Sequence, residues 1–219
     1  MNVLLKRTGP VTVISQVGEY KRLVRYVARA WFDIQALHQT WKFLRLAASW
    51  VSVAGQAGYT PLQCNITSGT FGLWHHGDYN FRGYLTASGT PGEFVIPRIS
   101  WNAFHAHWEY NTARDLQSQP NQCAIKDDDS IYFGPKPNAG YTFLADYYRN
   151  PILMSVDADV PALPAKHSTD IIVFKAMINW GVHKRDPGLI TLGEREYRSR
   201  LNSLELDQLE RPVLAGALC

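Results

Sequence analysis

The stretch DIIVFKAMINWGVHKRDPG, residues 170–188, decides the fold that the sequence predicts. Its apolar residues lie on nearly every side of a helical wheel, so a helix here has no face suited to water. A hydroxyl residue at 168 or 169 is suited to cap the helix start, and Asp170 occupies the first turn. The sequence DPG at 186–188 ends the helix. Such a helix must lie centrally in a bundle, with other helices against it.

A last helix follows, up to about Leu209. Its apolar positions are predicted to face inward, and these are Ile190, Tyr197, Leu201 and Leu204. Its charged positions are predicted to face outward, and these are Glu194, Arg195, Glu196, Arg198 and Arg200. The tail RPVLAGALC, residues 211–219, is not predicted to be helical throughout.

A third amphipathic segment lies near the N-terminus: EYKRLVRYVARAWFDIQALHQTWKFLRLA, residues 19–47. Apolar residues recur there at alternating three- and four-residue intervals, with basic residues between them. We therefore predict one long helix over this whole stretch. Its apolar stripe is wider than a coiled-coil seam, which favours packing in a bundle of several helices.

Between about Gly58 and Val156 the pattern changes to β-branched and aromatic residues in alternation, interrupted by Gly, Pro, Asn and Asp. This pattern is typical of an antiparallel β domain. The predicted fold class is α+β: an antiparallel helical bundle from residues 1–50 and 160–219, with an inserted antiparallel β domain at 51–159.

Composition excludes several classes of protein. Hydrophobic residues make up 46% and charged residues 19%, so the chain is not disordered. The formal charge of +3 is too small and too scattered to predict nucleic-acid binding. Cys64, Cys123 and Cys219 lie far apart, which indicates neither a disulfide framework nor a zinc site. With no signal-peptide core and no membrane-length apolar run, we expect synthesis in the cytoplasm and no contact with a membrane.

Short polar motifs are predicted to be turns. GTPGEF (89–94) and GPKPNAG (134–140) have the composition of tight hairpin turns. KDDDS (126–130) lacks the alternating spacing of a calcium loop and is predicted to be a turn that enters the next strand. No phosphate-binding loop, nucleophile elbow or metalloprotease motif occurs in the sequence.

The stretch FHAHWEY, residues 104–110, is the strongest candidate for a metal site. On a strand His105, His107 and Glu109 would share one face, and the histidines at 75–76 are possible further ligands. The same alternation describes an ordinary polar strand face, which we favour, and the stretch could also form a short helix. We predict no metal, no cofactor and no catalytic residue.

Two parts of the chain, residues 22–45 and 145–210, resemble the head-to-tail adaptor (connector) proteins of tailed bacteriophages. The order of three short elements carries the resemblance: Tyr147, Arg149 and Pro151; then Asp157, Asp159, Pro161, Leu163 and Pro164; then Leu204, Glu205, Asp207, Gln208 and Leu209.

The resemblance implies a virion structural protein at the head–tail junction, made in the host cytoplasm. It implies a ring of identical subunits, a dodecamer, that docks on the portal protein, extends the DNA channel and receives a tail or nozzle protein. Genomic DNA would pass without sequence-specific binding. The outward charges from Glu194 to Arg200 would meet neighbouring subunits. The tail would reach the portal through Arg211, Pro212, Val213, Leu214 and Leu218.

Two alternatives stay open at this point. One is a metal-dependent enzyme that uses the histidine cluster. The other is a tail-associated carbohydrate-binding β module that presents Trp74, Trp101 and Trp108.

Overall fold

A computed structural model describes residues 15–77, 79–167 and 169–209, and it has an α+β fold. The described residues form four α-helices: α1 (Gly18–Leu37), α2 (Trp101–Trp108), α3 (Asp170–Lys184) and α4 (Pro187–Gln208). They also form ten strands: β1 (Arg45–Val51), β2 (Gly58–Tyr59), β3 (Phe71–Trp74), β4 (Arg82–Leu85), β5 (Phe94–Val95), β6 (Gln117–Ser118), β7 (Gln122–Ile125), β8 (Ile131–Gly134), β9 (Lys136–Pro137) and β10 (Tyr141–Arg149).

The chain divides into two compact units. The helical unit comprises the residues up to Leu44 together with those from Pro151 onward, and the β unit comprises Arg45–Asn150. None of the helices in the described part of the chain is long and apolar enough to cross a membrane.

In the helical unit α3 packs against both α1 and α4. Two glycines permit the close approach of α3 and α4. A Cβ atom added at Gly181 would lie 2.9 Å from Ile190 Cγ1, and one added at Gly193 would lie 2.8 Å from Ile178 Cγ1. The prediction that residues 170–184 form a helix with neighbours against it is confirmed.

Helix α1 ends ten residues earlier than the sequence pattern predicted. After Leu37 the chain becomes extended at His38 and enters a 3-10 turn at Lys42–Leu44, followed directly by β1. The indole N–H of Trp41 donates to the carbonyl of Ile34 at 3.0 Å, so the chain turns back and Trp41 packs beneath the last helical turn. The helical prediction for residues 38–47 is therefore wrong. The apolar residues Leu37, Trp41 and Leu44 are spaced as on one face of a helix, but α1 ends at Leu37 and the other two lie beyond the turn.

The β unit contains two main sheets. One has the order β1-β10-β4-β5, with β3 also paired to β10, and the other has the order β2-β8-β7. Both consist of antiparallel pairs, as predicted, whereas the short β6 and β9 pair in parallel. Aromatic rings fill the core: Phe133 of β8 stacks on Phe143 of β10 with ring centroids 4.1 Å apart, and Trp50 lies beside both.

The predicted turns have three different outcomes. KDDDS joins the antiparallel strands β7 and β8, with the Ser130 N–H donating to Asp128 Oδ1 at 3.1 Å, which confirms a turn. GTPGEF joins the paired strands β4 and β5, which confirms a hairpin. GPKPNAG connects β8 in one sheet to β10 in the other and includes β9. The hairpin prediction for residues 134–140 is wrong because the flanking strands pair with other partners.

Candidate assembly surface

Helix α4 presents the charged face that the sequence singled out. Asp186 caps its start, accepting from the N–H groups of Gly188 at 2.9 Å and Leu189 at 3.2 Å, and Pro187 fills the first helical position. Gly193 and Leu204 are buried on the face toward the core, so the opposite face is left to solvent. The local sequence thus fixes both the start and the rotation of α4.

Glu194 and Arg198 are the two charges on this face with the greatest freedom. Both are exposed, and neither forms an ion pair with a residue that the structure describes. They line a shallow depression together with Arg195, which pairs with its neighbour Glu196 at 3.1 Å.

Arg200 has a different environment from the other four charged residues of this face, Glu194, Arg195, Glu196 and Arg198. Its guanidinium lies 3.8 Å from the carboxylate of Asp170 and 4.8 Å from the ring centroid of Phe174, both on α3. It therefore braces α4 against α3 within the chain. Any contact it makes with another subunit has to leave this packing in place.

The last turn of α4 is fastened to the rest of the helical unit. The carboxylate of Asp207 accepts hydrogen bonds from Lys166 and from His167 Nε2, the latter at 2.9 Å. The hydrogen bond from Lys166 is the largest cause that lowers the pKa of Asp207, followed by those from Gln208 and His167. A further contact, His38 Nε2 to Glu205 at 2.9 Å, joins α4 to the end of α1. The sequence offered no signal for the contacts of Lys166, His167 and His38 with α4, whose partners lie 40 or more residues apart.

The predicted portal-docking residues Arg211, Pro212, Val213, Leu214 and Leu218 lie outside the described residues. What the structure supplies is their attachment point, the fastened end of α4.

The D-x-D-x-P element shapes a loop before α3. Asp159 Oδ2 accepts from the N–H groups of Ser155 at 2.5 Å and Val156 at 2.9 Å, and these two bonds are the largest causes that lower its pKa. Upstream, the buried amide of Gln35 donates to the carbonyl of Ile152 at 2.8 Å. The loop is thus joined to α1 at Ile152, and Asp159 closes a turn within it.

The histidine stretch does not lie on a strand. Residues 101–108 form α2, which Ser100 caps by accepting from the Ala103 N–H at 3.3 Å. Phe104 is buried, while His105 and His107 are exposed and point to different sides, because residues two apart on a helix do not share a face. The prediction of a shared polar strand face is wrong. The helical spacing of the aromatic residues at 101, 104 and 108 decides the local structure, and the alternation of the histidines is incidental.

The second pair of histidines is occupied elsewhere. His75 is buried, stacks on Tyr148 with ring centroids 5.6 Å apart, and accepts at Nδ1 from the Gly77 N–H at 2.7 Å. His76 contacts Arg98, and its pKa is lowered, first by burial and then by the charge of Arg98. Over residues 15–77, 79–167 and 169–209, no group of three or more His, Cys, Asp or Glu side chains is arranged to hold a metal ion.

The tryptophans of the carbohydrate-binding alternative are packed in the β unit. Trp74 is 1% exposed and its indole N–H donates to the carbonyl of Asp129 at 2.8 Å. Trp108 is half-buried and donates to Gln122 at 2.9 Å, and Trp101 contacts Tyr132 with ring centroids 4.9 Å apart. The expectation that Trp74 is exposed is wrong, because it belongs to the aromatic core.

Comparison with known proteins agrees with the resemblance seen in the sequence. No curated protein matches the chain. The model of one family, described as SU10 adaptor protein, matches residues 8–216, which is nearly the whole chain. The matched range includes the whole β unit, most of which lies outside the two stretches on which the resemblance rested. The chain therefore belongs to the SU10 adaptor protein family, a structural family consistent with the head-to-tail adaptors of tailed bacteriophages.

Proposed function

We propose that this protein is a head-to-tail adaptor: a ring that docks on the portal, extends the DNA channel and provides the attachment site for the tail. The observation that carries the proposal is the family match over residues 8–216. The role is structural and not catalytic. The protein is made in the host cytoplasm and ends at the head–tail junction, where genomic DNA passes through the ring without sequence-specific binding.

The proposed architecture is an antiparallel helical bundle from both ends of the chain with a β domain inserted between them. The boundaries expected from the sequence, 1–50 and 160–219 for the bundle and 51–159 for the β domain, shift to Leu44 and Pro151, because β1 begins at Arg45. Two observations support it. Helix α3 packs on helices from both ends of the chain, and the β strands form a compact unit of their own.

The outward face of α4 is the proposed contact between subunits, through Glu194, Arg195, Glu196, Arg198 and Arg200. A ring requires two different surfaces that meet head to tail, and unpaired charges of both signs on one helix suit such a contact. Glu194 and Arg198 make no ion pair with a described residue, so each is available to an opposite charge on the neighbour.

A charge-swap experiment tests this contact. We expect Glu194→Arg and Arg198→Glu each to prevent ring formation with portal, because each places like charges together across a repeated interface. Lys21→Glu, at an exposed residue of α1, is the matched control.

Electron microscopy of the protein with and without portal rings is the measurement. Both single variants assembling as well as the wild-type protein would remove α4 from the interface. If the wild-type protein formed no ring on any portal tested, the adaptor proposal itself would fail.

The C-terminal residues Arg211, Pro212, Val213, Leu214 and Leu218 are proposed to dock on the portal. Truncation after Glu210 removes the apolar side chains and leaves the described part of α4 intact. We expect the truncated protein to lose attachment to portal rings in a sedimentation assay while its thermal unfolding stays unchanged. Attachment equal to that of the full chain would refute tail docking.

A further inference from the structure

Helix α1 carries a row of three arginines. Arg22, Arg25 and Arg29 follow one another at intervals of three and four residues, so they share one side of the helix with rises of about 4.5 and 6 Å. All three line one groove of the helical unit. Its other walls are His183 near the end of α3 and the segment Leu153–Ser155. We call this feature the arginine groove.

The loop wall of the arginine groove is fixed in place. Gln35, which is 0% exposed, bonds the backbone of Ile152 to α1. Further along the loop, the carboxylate of Asp159 accepts from the N–H groups of Ser155 and Val156, three and four residues after Ile152. The groove is therefore a built feature of the fold and not a gap beside a free segment.

The arginine groove has an excess of positive charge. The described residues that line it include three guanidinium groups and no carboxylate. Arg29 pairs with Asp33 at 2.8 Å, and Arg22 lies 3.1 Å from His183 Nε2, a neutral acceptor when the imidazole is unprotonated. Arg25 is exposed and forms no ion pair or hydrogen bond with any described residue. An anionic group that binds Arg25 would therefore not have to displace an ion-pair or hydrogen-bond partner among the described residues.

Apolar side chains line the arginine groove beside the charges. Tyr26 and Met154 contribute to it, and Leu153, which is 53% exposed, lies at its rim. This mixture distinguishes the partner: a phosphate backbone would use the arginines but would leave the apolar side chains uncovered. A protein segment that carries both carboxylates and apolar groups would cover both.

We propose that the arginine groove binds an acidic amphipathic helix of a protein partner. A carboxylate on that helix can pair with Arg25 in bidentate geometry, and carboxylates three and four residues away have the rises to approach Arg22 and Arg29, which also contact His183 and Asp33. Its apolar residues pack on Tyr26, Leu153 and Met154. The inference goes beyond the adaptor role, since it names a second docking surface on α1 that does not depend on the ring contact of α4.

Binding of designed peptides to the full-length protein tests the proposal. The probe is a fluorescein-labelled, alanine-based helical peptide with Glu at alternating three- and four-residue intervals and Leu beside each. The comparison peptide has the same composition, with the Glu residues scattered around the helix. We expect the patterned peptide to bind at least about tenfold more tightly by fluorescence anisotropy, because only it aligns several charge-assisted pairs.

Two charge reversals on the same helix identify the site. We expect Arg25→Glu to weaken binding of the patterned peptide about tenfold or more, because it turns an attraction into a repulsion. Lys21→Glu makes the same charge change on α1 but does not line the groove. Because position 21 lies one helical turn before Arg25, within the screening length of about 8 Å, Lys21→Glu should also weaken binding, but by a clearly smaller factor than Arg25→Glu.

Three results would overturn the proposal. The first is equal binding of the two peptides or no binding of either, and the second is an equal effect of Arg25→Glu and Lys21→Glu. The third is tighter binding of a duplex DNA than of the patterned peptide with the same dependence on Arg25, which would make the groove a phosphate site. Circular dichroism of both variants verifies that the fold is retained.

Discussion

Replacing Gln35 by methionine removes the hydrogen bonds that join α1 to the loop before α3. The Gln35 amide nitrogen donates to the carbonyl of Ile152 at 2.8 Å, and its oxygen accepts from the N–H of the same residue at 3.4 Å. Methionine is similar in length and flexible enough to fill the site, so the substitution removes polar contacts with little change in volume.

The cost follows from the two backbone groups that lose their partner. The backbone of Ile152 is only part-buried, so each lost bond costs the net value of an ordinary hydrogen bond, about 0.5–1.5 kcal/mol, and the longer bond to the N–H of Ile152 is at the low end. We therefore expect a loss of about 2 kcal/mol in the free energy of unfolding. For a chain of this size, that corresponds to a fall of about 4–8 °C in Tm.

Thermal unfolding measures the loss of stability, and hydrogen exchange measures the loosening of the loop at Ile152. Gln35→Met should lower Tm and speed exchange of the Ile152 amide, whereas Gln39→Met, at an exposed position in the turn after α1, should do neither. Equal Tm values for the two variants, with unchanged exchange at Ile152, would show that Gln35 does not anchor the loop. Gln35→Met should also weaken binding of the patterned peptide to the arginine groove, because the loop wall of the groove depends on the Gln35–Ile152 hydrogen bonds.

Three further predictions concern packing, pH and thiol reactivity. Gly193→Ala should lower the free energy of unfolding by about 1 kcal/mol in urea, because overpacking against Ile178 exceeds the helix-propensity gain, and a more stable variant would contradict this. The hydrogen bond from Lys166 lowers the pKa of Asp207, so its contribution is present above the unfolded pKa of about 3.9 and is lost as pH falls below it. The Tm advantage of the wild-type protein over Asp207→Asn should therefore shrink below that pH, and a constant difference from pH 6 downward would refute the linkage. Cys64 is buried, and burial raises its pKa to about 12, so iodoacetamide should label it at pH 8 only after unfolding, as peptide mass spectrometry can detect; labelling of the native protein would contradict its burial.

The sequence predicted the C-terminal helices well because their boundaries are encoded locally. Asp170 lies in the first turn of α3, although Thr169 at the N-cap position forms no side-chain cap. Helix α3 ends at the left-handed Arg185, directly before the segment 186–188, whose Asp186 caps α4. The apolar surface of α3 also carries the information that it needs neighbours. These signals act over a few residues, so they survive in any tertiary context.

Where a pattern was shared by two structures, the sequence could not decide between them. His105 and His107 fit a strand face, but Trp101, Phe104 and Trp108 fit a helix face, and the buried Phe104 decides for the helix. At the end of α1 the helical period continued through residues that turn back on the helix. Periodicity records which residues are apolar and does not record which surface covers them.

The sequence also could not show which charges on α4 are free to contact another subunit. The structure distinguishes them, and this decides which residues should be tested first. Five charges on α4 looked equivalent in the sequence, yet Arg200 is engaged with Asp170 and Phe174, while Arg198 pairs with no described residue. Reversing Arg200 would disturb the packing of α4 on α3, so a loss of ring formation would not identify an interface. Arg198 carries no such internal role, and its reversal together with that of Glu194 therefore separates assembly from folding.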